Sequence, residues 1–135
     1  MVEGGGSVIE ALGMRPREAN AQRVVMEMPM GPNVRQGTGV FAAGPLMQLA
    51  DVGATMLYFE VMRAAGREDA PFPLSIQISM NLIGNTDRGT AISESRPVHR
   101  GRTLFVVESS IRDDTGRLLA TVNSTHLAVE REKKA

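Results

Sequence analysis

Residues 36–55 read QGTGVFAAGPLMQLADVGAT, a glycine-rich loop that turns into an apolar run at Pro45. Proline at a first helical position loses nothing, because the N–H there has no intrahelical partner. The spacing predicts a helix from Pro45 to about Ala65, with Gly66 as its C-terminal stop. At 1.5 Å per residue this helix is roughly 30 Å long, enough to cross a small domain. It is apolar almost all round until Glu60 and Arg63, so it should be buried, with the rest of the chain wrapped about it. Among Leu46, Met47, Leu49, Ala50, Val52 and Ala54 stands one carboxylate, Asp51. An acid in a helix fitted for burial is costly enough to need a reason.

The sequences on either side of the helix read as strands. QRVVMEMPM (22–30) places Val24, Met26, Met28 and Met30 on one face. LSIQISMNLI (74–83) alternates, with Leu74, Ile76, Ile78, Met80 and Leu82 opposite Ser75, Gln77, Ser79 and Asn81. GTAISESRPVH (89–99), TLFVVESSIRD (103–113) and RLLATVNSTHLAVE (117–130) follow, separated by the turn sequences HRGR and DDTG. Short spacings with tight turns predict an antiparallel meander of the last four strands. The class is therefore α+β, one antiparallel sheet on one long central helix. A single domain is expected over 21–130. It follows a 1–20 segment holding a short helix in SVIEALGM, capped by Ser7 and stopped by Gly13, and precedes a charged tail at 131–135.

Composition narrows the function. A chain of 135 residues suggests one domain, which buries roughly 68% of the surface its unfolded chain would expose. Fifteen basic and fifteen acidic residues cancel, so no overall field draws nucleic acid or a membrane. Four Phe, one Tyr and no Trp make a base-stacking platform improbable. With no cysteine there is no disulfide, thiolate metal site or cysteine nucleophile, which fits a reducing compartment. Neither a secretory signal nor a stretch of eighteen apolar residues is found, and a cytoplasmic protein is expected.

Several motifs fail on inspection. Gly39–Gly44 opens like a phosphate loop, but Pro45-Leu46 stands where Lys and Ser/Thr are needed. No dinucleotide fingerprint and no nucleophile elbow is present. His99 and His126 lie in different strands without metal-ligand spacing, so each reads as a structural or surface histidine. Asn123-Ser124-Thr125 matches a glycosylation acceptor but falls inside a strand.

The loop and helix offer chemistry of their own. Pro45 has no N–H, so the donors at the helix start come from Ala43 and Gly44, and a pair of such amides can stabilise an oxyanion. Asp51 lies about 9 Å along the axis from Pro45 and can serve as nucleophile or as general base. Gln48 and Thr55 share its face. From spacing alone, a purely structural Asp51 remains equally open.

QGTGVFAAGPLMQLAD, the alternating strand and VHRGRTLFVVESSIRDDTGRLLATV together resemble the hot-dog acyl-CoA thioesterases of the phenylacetic-acid-pathway and 4-hydroxybenzoyl-CoA type, over roughly residues 21–130. The resemblance implies that Gln36 matches the family's Asn/Gln, Asp51 its catalytic carboxylate and Ala43 the amide that polarises the thioester carbonyl, with Gly44 beside it. Thr55 matches a Ser/Thr of some members and Ser75 a Ser that other members use to assist water, so that Ser75 or Thr55 would assist here. Where the family has His-Gly-Gly this chain has Ala42-Ala43-Gly44. A homodimer or homotetramer is implied, its sites at the subunit interface, Gln36 and Ala43 of one subunit facing Asp51 of the other.

The expected reaction is hydrolysis of an acyl-CoA to a carboxylic acid and coenzyme A, with no metal or organic cofactor. Arg96, Arg100 and Arg102 are the cations around one turn that could hold the phosphates of coenzyme A. Met47, Met56 and Met80 are candidate liners of an apolar acyl tunnel. The alternative is a non-hydrolytic acyl-CoA-binding or regulatory protein on the same fold, motivated by Ala42. A hot-dog dehydratase ranks third, since no paired Asp and His stand in the helix region.

Overall fold

The structure is a computed structural model that describes residues 7–130. The predicted tail at 131–135 lies outside the described residues. Ser7 caps a short helix α1 (Val8–Ala11), its side chain accepting from the Glu10 N–H at 3.3 Å, and Gly13 follows with φ 70°. Then come β1 (Arg15–Ala19), β2 (Val24–Pro29), the long helix α2 (Ala43–Ala64), β3 (Leu74–Leu82), β4 (Thr90–Arg100), β5 (Leu104–Arg112) and β6 (Leu118–Leu127).

All six strands form one antiparallel sheet in the order β1-β2-β4-β5-β6-β3. Two expectations are corrected here. β1 is a strand that the sequence did not announce: its residues Arg15, Pro16, Arg17, Glu18 and Ala19 lack apolar alternation, and among the described residues it pairs with β2 alone. The meander covers only β4, β5 and β6. β3 does not pair with β4 but closes the far edge against β6, because β2 already occupies the free side of β4.

One face of the sheet is packed under α2. Val24, Met26 and Met28 from β2, Phe105, Val107 and Ile111 from β5, and Ala120 and Val122 from β6 are buried there. From the helix, Leu46, Leu49, Ala50, Leu57 and Tyr58 descend onto them. The helix packs tightly on the sheet at Gly53, where a Cβ would sit 2.9 Å from Ser95 Oγ. Ser95 and Ser109 hydrogen-bond each other beneath it at 2.8 Å.

The helix is buried on the sheet side only. Met47, Gln48, Asp51, Thr55, Met56 and Phe59 are each half-buried, so the expectation of burial all round fails along this stripe. After α2, Gly66 adopts φ 77°, and the Arg67 N–H reaches back to Met62 O at 2.8 Å. Tyr58 then donates to Pro71 O at 2.9 Å, fixing the chain as it returns to start β3 beside the middle of the helix.

Candidate active site

The return of the chain brings Ser75 to Asp51. Ser75 Oγ donates to Asp51 Oδ1 at 2.6 Å, the short length expected for a hydroxyl on a carboxylate. Strict alternation from Leu74 would turn Ser75 away from the residues that pack under α2. A bulge at Ile76 changes this: Ser75 pairs with His126, while the next matched pair is Gln77 with Thr125. The extra residue shifts the alternation, so Ser75 shares its face with Ile78, Met80 and Leu82, opposite Ser124, Val122 and Ala120 of β6.

His126 is the residue that sequence reasoning left out of the site. It is fully buried, with Nδ1 3.3 Å from Ser75 Oγ and Nε2 2.9 Å from Ser124 Oγ. Burial holds its pKa below the ordinary 6.5, opposed by the charge of Asp51, which raises it. The cross-strand register is what places it, and no sequence spacing encodes that. Ser124, the middle residue of the Asn123-Ser124-Thr125 sequence, is its buried partner.

Asp51 and Ser75 line a groove of about 490 Å³ together with Gln48, Thr55, Met56 and Phe59. Phe72 and Leu74 enter from the start of β3, and Val8 and Ile9 from α1. Of the three methionines considered as liners, Met56 is in this wall. Among the described residues Asp51 takes no hydrogen bond beyond that from Ser75 and pairs with no cation. Its second oxygen is thus left for a ligand or water.

The remaining candidates lie elsewhere. Gln36 belongs to a separate hollow with Pro32, Arg35 and Thr38, and its Nε2 donates to Thr38 Oγ1 at 3.0 Å. The loop carrying it is anchored at buried Phe41, whose backbone N–H and C=O are both held by the Asn85 side chain, at 3.1 and 2.9 Å. Ala42 is the helix N-cap and supplies no side-chain bond. Ala43 and Gly44 are exposed, and no other described residue takes their N–H groups. Ala43 precedes Asp51 by eight residues, about 12 Å of helix. One carbonyl cannot meet both within a single chain.

The arginines do not share a hollow. Arg96 points its guanidinium to Glu94 at 2.9 Å and lines a cleft with Pro97, Val98 and Glu108, whereas Arg102 lines another with Arg67 and Thr103. Arg100 is exposed at the end of β4. Among the described residues no group of three His, Asp or Glu could hold a metal ion. No helix there is long and apolar enough to cross a membrane.

Comparison with known proteins gives the fold its name. No family model matches the chain. It is 27% identical over 129 residues to the Bacillus subtilis (strain 168) protein "Putative esterase ComA2", covering 93% of this chain and 96% of that one. The thioesterase HI1161 of Haemophilus influenzae superposes with a TM-score of 0.84 at 18% identity, covering 93% of this chain and 85% of the other. A hypothetical thioesterase protein of Streptococcus pneumoniae TIGR4, solved with coenzyme A, superposes with a TM-score of 0.75 at 16% identity, over 89% and 91%. The fold is the hot-dog fold, as the sequence led us to expect.

Proposed function

We propose that this chain is a hot-dog thioesterase that hydrolyses an acyl-CoA thioester, with Asp51 as its general base. The observation that carries the reading is the Ser75–Asp51 hydrogen bond at 2.6 Å at the wall of an apolar groove. It leaves one carboxylate oxygen to take a proton from water. The kinship of fold with solved thioesterases, one of them holding coenzyme A, supports the same chemistry.

In this mechanism the acyl group lies along the groove beside Met56 and Phe59. Asp51 deprotonates water as its oxygen bonds to the thioester carbonyl carbon. The carbonyl oxygen becomes an oxyanion and accepts a hydrogen bond from Ala43 N–H of the partner subunit, with Gly44 of the partner subunit lending closeness of approach. The C–S bond then breaks, coenzyme A leaves as a thiolate, and the proton on Asp51 is released. Gln36 of the partner subunit orients substrate or water. Thr55 borders the acid from the next helical turn.

A second copy is required because Ala43 and Asp51 of one chain lie too far apart to share a carbonyl. The edge of the sheet at β3 is suited to receive it. Phe72, Leu74, Ile76, Leu82 and Ile83 are exposed on or beside this edge strand, whose outer backbone groups have no partner strand among the described residues. The opposite edge, β1, is charged instead. We assign the phosphates of coenzyme A to Arg100 and Arg102, with Arg96 contributing less because Glu94 offsets its charge.

The test is release of coenzyme A from short, medium, long and aromatic acyl-CoA thioesters. Turnover of any class supports the reading. Acyl-CoA that raises the melting temperature without being hydrolysed supports instead the non-hydrolytic binder, the reading that Ala42 favours.

A further inference from the structure

His126 is a fully buried titratable side chain that the reaction above does not use. Burying an imidazole, here across the strand pair from Phe105, is unfavourable unless both nitrogens are satisfied, and both are. Ser75 contacts Nδ1 at 3.3 Å and Ser124 contacts Nε2 at 2.9 Å. The register places the three on adjacent strands, His126 of β6 directly opposite Ser75 of β3.

The directions of these bonds are fixed by elementary accounting. An ionised carboxylate only accepts, so Ser75 must give its single hydroxyl proton to Asp51 Oδ1. Its oxygen then faces His126 as an acceptor, and Nδ1 must carry a proton. In neutral imidazole the other nitrogen, Nε2, is then bare and accepts from the Ser124 hydroxyl. The sequence of donors is Ser124 to His126 to Ser75 to Asp51. With the opposite tautomer, bare Nδ1 would compete with Asp51 for the one Ser75 proton.

We infer that His126, its Nδ1–H turned to the Ser75 oxygen and its Nε2 held by Ser124, is a positioning residue that commits the Ser75 hydroxyl to Asp51. Being fully buried, it acts through Ser75. The inference rests on the thioesterase reading for its effect on rate, but the order of donors needs only the hydrogen-bond geometry, an ionised Asp51 and a neutral imidazole. Among the groups facing His126, Asp51 is the charged one whose field reaches it.

Two substitutions separate the roles of the ring nitrogens. Nδ1 is two bonds from Cβ, as is the amide nitrogen of asparagine, while Nε2 is three bonds away, as is that of glutamine. His126→Asn keeps a donor toward Ser75. His126→Gln loses it while retaining a polar partner for Ser124. We expect His126→Gln to lower kcat about tenfold, the worth of one hydrogen bond, with KM little changed. His126→Asn should lose less than about threefold on the same scale.

The loss in His126→Gln should vanish in a Ser75→Ala background, since the histidine then has no hydroxyl to orient. Nitrogen-15 NMR of the wild type should show a neutral Nδ1–H imidazole whose signals shift on Ser75→Ala and on Ser124→Ala. An Nε2–H tautomer overturns the inference, and so does a folded His126→Gln with full kcat or with an equal loss in both backgrounds. Should wild type hydrolyse no thioester, the functional reading fails while the tautomer still decides the order of donors.

Discussion

Ser75 and Asp51 stand 24 residues apart in the chain and 2.6 Å apart in space. The bulge at Ile76 on one side and the Tyr58–Pro71 bond on the other bring them together. This pair gives the reason that a helix fitted for burial carries an acid: Asp51 faces a groove, not the core. Replacing Ser75 by Ala should lower kcat by about 10- to 100-fold with little change in KM, because the hydroxyl orients the base rather than binding substrate. Thr55→Ala, whose target forms no comparable bond, should change kcat less than about threefold by the same reasoning. Steady-state kinetics on one acyl-CoA compares the two.

Protonation of His126 links stability to pH. Its pKa in the folded protein lies below the ordinary 6.5 because burial disfavours the charged ring, with Asp51 pulling the other way. Between the folded value and 6.5 the unfolded chain binds the extra proton. The contribution is therefore complete above pH 6.5 and is lost as pH falls from there toward the folded value. Melting temperature should drop over that window in wild type and drop less in His126→Asn, as scanning calorimetry from pH 7.5 downward would show.

At Gly53 the helix rests directly on the sheet. An added Cβ would meet Ser95 Oγ at 2.9 Å and Met26 Cγ at 3.4 Å. Ser95 is fully buried and tied to Ser109, so it has little room to yield. Gly53→Val should destabilise the fold by about 1–3 kcal/mol through overpacking, measured by urea denaturation.

Asn85 holds both backbone polar groups of Phe41. Asn85→Ala should cost about 1–3 kcal/mol, the penalty of a buried polar group left unpaired. Amide hydrogen exchange should rise along residues 33–42, the loop that carries Gln36, and little elsewhere.

A lysine on an edge strand resists pairing with another chain. If β3 meets a second copy, Ile76→Lys should shift the protein toward monomer in sedimentation velocity and reduce thioester hydrolysis, although Asp51 and Ser75 are untouched. A monomeric variant with full activity would contradict a site shared between subunits.

What could be read in the sequence follows from which features are local. The long helix, its Gly66 stop, the Ser7 cap and the four later strands all rest on periodicity and turn residues within a few positions. β1 escaped because a strand held by one neighbour needs no apolar alternation. The place of β3 beside β6 escaped because strand order is a property of the whole sheet. Asp51 and Ser75 were legible by kind and position, but their contact depends on a bulge that strict alternation conceals. His126 and Asn85 were not legible as part of the site or of its supporting loop, since their partners lie 51 and 44 residues away.

The most direct test is release of coenzyme A by Asp51→Asn and wild type on the acyl-CoA that wild type turns over best, with thermal shift to follow binding. The account predicts that the variant binds the thioester yet loses at least about a thousandfold in kcat, as removal of a general base would require. An Asp51→Asn protein that hydrolyses it at a rate near wild type would contradict the assignment of Asp51 as the base.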